Sequence, residues 1–171
     1  RMMCPDGSIG ADFVRAVEAA TTWRYEEDRL VLEGRDGVAV TFTPRLEGVT
    51  WVWEGVQFMD DSSLMPDDPG RYSLTFLPDG TLAIKADCNR GAGTWSVDNE
   101  TVDLEVGALT KMACPEDSLA DRFVQGVNEV NSGVFRNGRL FLALPVDSGI
   151  HAFAARFAPP AGTGEEATPE A

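Results

Sequence analysis

Residues 86–115 read A-D-C-N-R-G-A-G-T-W-S-V-D-N-E-T-V-D-L-E-V-G-A-L-T-K-M-A-C-P, and this stretch decides the fold. Its middle is a hairpin. G-T-W-S-V and T-V-D-L-E-V are short runs of β-formers on either side of the polar turn Asp98-Asn99-Glu100. Working upstream, Leu82, Ile84 and Ala86 alternate with polar residues, and so do Tyr72, Leu74 and Phe76. Between them lies L-P-D-G-T, where Pro78 presets φ and Gly80 tolerates a positive one. Continuing the alternation puts Cys88 on the inward face. T-W-V-W-E-G-V-Q-F, from Thr50, is a further strand.

Working downstream, Pro115 suits the first turn of a helix, and Ser118 and Asp121 have capping-box spacing. Leu119, Phe123, Val127 and Val130 form one apolar stripe. Asn137-Gly138 then joins V-F-R to R-L-F-L-A-L, a strong hairpin signal, and a closing strand runs from Gly149 to Phe157. About eight short strands with hairpin connections and one helix predict a mainly β, α+β domain. Its antiparallel sheet closes into a small barrel, with the helix over one end or face.

The stretch also reveals a repeat. Shifted by 110 residues, positions 1–34 fall without a gap on 111–144. Identical pairs include Met2/Met112, Cys4/Cys114, Pro5/Pro115, Phe13/Phe123, Val17/Val127, Leu30/Leu140 and Leu32/Leu142. The ten identities in this window compare with roughly two expected from ordinary composition. Residues 1–44 therefore read as the second half of one repeat, with a helix on Ile9, Phe13, Val17 and Ala20 and then short strands. Residues 45–157 read as a complete repeat, and 158–171 as a disordered tail or linker. The half-repeat lacks the strands that would close it, so its apolar face is expected to dock on the complete repeat or on another chain, as in a homo-oligomer or swap.

Fourteen basic against 28 acidic residues give a net charge of −14. That opposes nucleic-acid binding, which needs a basic stripe, and docking on anionic membranes. No apolar run is long enough to cross a bilayer. The chain starts in mid-motif at Arg1, so any targeting region is expected upstream.

Candidate chemistry is sparse. Cys88 and Cys114 end strands of one meander and can be a disulfide, a packed thiol pair or a reactive site. Cys4 is the orphan whose partner would belong to the missing half. The single histidine, His151, reads as a half-exposed strand residue, too isolated to serve a cysteine nucleophile. No C-x-x-C supports a zinc site. Asp60, Asp61, Asp67 and Asp68 share one loop without EF-hand spacing and read as solvated. Asn89 and Arg90 read as structural groups at a strand end, and N-R-G-A-G as a turn, not a phosphate loop. Trp51, Trp53 and Trp95 would fill the core, and any surface they leave exposed would line a ligand site at the barrel mouth.

D-C-N-R-G-A-G-T-W, L-T-K-M-A-C-P and the helix with its following hairpin resemble the META domain, the family of HslJ-like heat-shock proteins. The motif residues are Cys88, Asn89, Arg90, Lys111, Met112, Cys114 and Pro115. The resemblance implies a small β-rich barrel with one helix and a bacterial protein, exported or lipid-anchored to the envelope and associated with stress, drug tolerance or secretion. It carries no catalytic residues and no cofactor. The expected function is non-enzymatic binding of a protein partner or small hydrophobic ligand. A thiol-redox or metal-responsive role and a purely structural tandem module are the alternatives.

Overall fold

The computed structural model describes residues 9–26, 29–99 and 101–156; Cys4 and the tail 158–171 lie outside the described residues. The first segment is α1 (Gly10–Glu18), β1 (Ala20–Glu26), β2 (Arg29–Gly34) and β3 (Ala39–Phe42), with the strands in one antiparallel sheet. Ala20 starts β1 and is not part of the helix stripe.

The second segment runs β4 (Thr50–Phe58), β5 (Ser63–Leu64), β6 (Tyr72–Phe76), β7 (Thr81–Ala86), β8 (Asn89–Asp98) and β9 (Thr101–Leu109). After α2 (Ala120–Asn128) come β10 (Ser132–Arg136), β11 (Arg139–Ala143) and β12 (Gly149–Arg156). Strands β6 to β12 pair in chain order, β6 also pairs with β4, and β12 returns to β4 from Gly149↔Phe58 to Arg156↔Thr50. The eight strands close a meander barrel, with β5 an appendage on β4. Closure removes the edges that an open sheet exposes.

Local chemistry places the turns. Asn137 and Gly138 both have positive φ, as a tight hairpin needs. Gly80 sits at φ 82, and the Asp79 carboxylate accepts the Thr81 N–H. The weakest seam is β9–β10, paired only at Thr101↔Ser132. There α2 crosses, packs on β9 and β7, and buries Phe123, Gly126 and Val127. Asn128 Oδ1 accepts the Val106 N–H at 2.8 Å where β9 has left β10.

The helix begins later than its sequence signals. Its N-cap is Leu119, whose N–H donates to the Tyr72 hydroxyl at 2.9 Å. No capping box forms. Ser118 Oγ accepts the Ala120 N–H, and Pro115 lies five positions before the first helical residue. The tether to Tyr72, an interior residue, overrides the local cap preference.

Candidate functional site

The barrel interior is the first place to look for a ligand site, and it is full. Trp51 and Trp53 on β4 point inward and are buried. Tyr72, Phe76, Phe123 and Phe153 meet them from the wall and the helix. Trp95 is half-buried, edge-on to Phe76, with its indole N–H donating to the Leu77 carbonyl at 2.9 Å. The three tryptophans therefore pack in or against the filled core. Strand alternation turns Trp51 and Trp53 to the axis, where a small barrel has volume for side chains only.

His151 is a second correction. It is 2% exposed, because its strand position faces the axis. Trp53 Nε1 donates to His151 Nδ1 at 2.9 Å, which leaves the ring proton on Nε2. Nε2 has no hydrogen-bond partner among the described residues. It abuts Gly126 of α2, where any Cβ would collide with the ring, so the helix packs this close only because Gly126 has none.

Burial lowers the His151 pKa to about 4, with the Glu129 carboxylate pulling the other way. An unfolded imidazole protonates near pH 6.5. Stability is thus fully present above that value and is lost as pH falls from about 6.5 towards 4, by about 3 kcal/mol. His151→Gln keeps an acceptor for Trp53 but does not titrate. Urea unfolding at stepped pH should show the loss in the natural protein and a flat profile for the variant over this window. A natural profile that is also flat would contradict the buried neutral imidazole.

The cysteine stretch forms a seam at one barrel end. Cys88 and Cys114 are joined by a disulfide, with Cα atoms 5.5 Å apart. Cys88 does not continue the inward alternation. β7 ends at Ala86, and Asp87, at φ 59, and Cys88 make a two-residue turn into β8.

Residues 110–119 have no regular structure, so side chains must satisfy their backbone. Asn89 does this at Met112. Its Oδ1 accepts from the Met112 N–H at 2.8 Å and the Thr110 hydroxyl at 3.0 Å, and its Nδ2 donates to the Met112 carbonyl at 3.3 Å. Arg90 pairs with Thr110 through its backbone. Lys111, Met112 and Pro115 are exposed.

Below the seam, Arg71 makes a two-pronged bond to Asp87 and reaches Asp117 at 3.1 Å. The guanidinium holds the Asp87 carboxyl below its ordinary range. Sequence reasoning missed Arg71, Asp87 and Asp117, which are 46 residues apart at their ends. In the aspartate-rich loop, Asp60 accepts from the Ser62 N–H and Asp68 from the Gly70 N–H, so both are spent on local turns. The described residues contain no cluster of histidine, cysteine and acidic side chains able to hold a metal.

A candidate place for a ligand lies on the outer wall. A groove of about 540 Å³ runs across β4, β12, β11 and β10. Val134, Phe141, Ile150, Ala152 and Met65 supply its apolar surface, and Arg136 and the Arg139–Glu54 ion pair border it. Gly55, at φ 146, lets the chain at Leu64 and Met65 fold tightly over β4, because a Cβ there would strike both. A sequence signal for this groove exists. L-F-L in β11 is apolar in both phases, which marks a strand with something against each face.

The fold has a counterpart among solved structures. A protein from Burkholderia xenovorans, solved by NMR, is similar at TM-score 0.54 and 17% identity, over 66% of this chain and 85% of that one. A DUF4847 family protein from Bacteroides vulgatus, solved by crystallography, gives TM-score 0.47 and 17% identity, over 64% and 93% respectively. No curated protein matches in sequence. The family model described as META domain matches residues 44–155, from just before β4 almost to the end of β12. With the disulfide-and-asparagine seam and the closed meander falling inside that match, the chain belongs to the META domain family.

Proposed function

We propose that this META domain is a non-enzymatic binding module of an oxidising compartment, the bacterial envelope or the exterior, that takes a small hydrophobic ligand or an apolar segment of a partner protein in its outer groove. The observation that carries the reading is the pairing of a filled interior with an open apolar groove on the wall. An exposed apolar concavity on a soluble domain marks a binding surface. The disulfide supports the compartment, since such bonds persist where thiols are not kept reduced. The stress or secretion association rests on the family resemblance alone. The described side chains also favour binding over turnover: His151 is buried with its Nδ1 occupied, and Cys88 and Cys114 are bonded to each other.

A fluorescence titration with anilinonaphthalene sulfonate tests the groove. Ile150→Asp puts a charge among Phe141, Val134 and Ala152. It is expected to weaken a saturable site about tenfold or more. Because Ile150 is half exposed, the unfolding midpoint should barely move. Unchanged probe affinity in that variant would refute the groove as the site.

A further inference from the structure

The first segment is built like the last part of the barrel. At an offset of 110, α1 covers the same positions as α2. Tyr25 pairs with Leu30 and Trp23 with Leu32, as Phe135 pairs with Leu140 and Gly133 with Leu142. Leu30 pairs with Phe42, as Leu140 pairs with Phe153. The second correspondence runs at offset 111, so one extra residue lies in the loop between β11 and β12.

The difference is what covers them. Phe123 and Leu142 are fully buried, whereas the equivalent Phe13 is 45% exposed and Trp23, beside Leu32, is 68% exposed. The face carrying Trp23, Tyr25, Leu30, Leu32, Val40 and Phe42 is apolar, with Tyr25 lying against Gly138 of the β10–β11 turn, while the other carries Thr22, Arg24, Glu33 and Thr41 together with Ala39 and the buried Val31. In the barrel, β10 also pairs with β9 and β12 also pairs with β4. Strands β1 and β3 have β2 as their single partner among the described residues.

We infer that residues 9–42 are the second half of another META barrel and that their open face takes a first-half META segment, the counterpart of β4–β9. One end of that segment pairs with β3 as β4 pairs with β12, and the other with β1 as β9 pairs with β10. Another copy of the same half is a poor occupant. It would set α1 against α1 on a face where the closed barrel holds one helix. At the repeat offset Cys4 corresponds to Cys114, so the incoming segment's cysteine would stand to Cys4 as Cys88 stands to Cys114.

The test fuses residues 45–110 directly before Arg1 of the full chain. The unfused chain has three cysteines, two of them in the disulfide, and should titrate one thiol. The fusion should titrate none, and peptide mapping should find the added Cys88 linked to Cys4. Acrylamide quenching of Trp23, read as the difference from Trp23→Phe, should be lost. A second fusion with Cys88→Ser in the added segment must still protect Trp23, which separates barrel closure from the disulfide. Hydrogen exchange across β4–β12 of the same molecule, slow in every protein compared, shows that the rest of the chain is folded. A fusion that keeps Trp23 quenchable and Cys4 reduced overturns the inference. So does an unfused chain that dimerises and covers Trp23 by itself.

Discussion

Trp53→Ala is expected to destabilise the barrel by about 3–5 kcal/mol, the range for deleting a fully buried large aromatic. Trp53 lies where the three parts of the interior meet. Its ring centroid is 5.5 Å from that of Tyr72 on β6, 5.1 Å from Phe123 on α2 and 5.8 Å from His151 on β12. Truncation leaves a cavity among all three. It also strips His151 Nδ1 of its donor, in a ring whose Nε2 already has no partner among the described residues. Trp53→Phe separates the two effects. It keeps much of the ring volume but loses the indole N–H, at about 1–3 kcal/mol for the stranded acceptor. Guanidinium unfolding should show a lower midpoint at an unchanged slope in both variants. A Trp53→Ala loss below about 1 kcal/mol would mean that the interior can collapse around the hole.

Breaking the disulfide is the second large perturbation. Cys88 and Cys114 are 26 positions apart, and opening a loop of that size costs about 3–4 kcal/mol on the chain-entropy account. The Cys88→Ser/Cys114→Ser protein should lose that much by equilibrium unfolding, with protease cutting first between residues 110 and 119. That connection then depends on Asn89, the Arg71–Asp117 ion pair and the bond from Leu119 to Tyr72. The same experiment separates a structural bond from a redox function. A structural bond makes reduction costly and leaves probe binding in the groove intact. Reduction that costs nothing but changes binding would favour a thiol switch.

Much of the fold is legible without coordinates because its turns are local. Asn137-Gly138 and Pro78-Asp79-Gly80 choose their geometry from φ preferences that a neighbouring strand does not alter. Alternation around them identifies β6, β7, β10 and β11, and eight hairpin-linked strands suggest closure. The candidate site is less legible. Phe141 breaks the alternation of β11, but Ile150 looks like an ordinary alternation partner until the ring of strands shows which phase faces out. Cys88 reads as inward because alternation carries through a turn that only the left-handed Asp87 discloses. His151 reads as half-exposed because a histidine between small residues carries no burial signal. Its partner Trp53 is 98 residues away.

By itself, then, the sequence determined the hairpins, the apolar stripe of α2 and the family. All of these depend on residues near one another in the chain. The tertiary structure decided that Trp51 and Trp53 fill the axis, that Cys88 and Cys114 bond, and that Asn89 holds the Met112 backbone. It also showed that the wall carries an apolar groove. The filled axis follows from closing β12 onto β4, a pairing between chain positions about a hundred residues apart whose register no local preference sets.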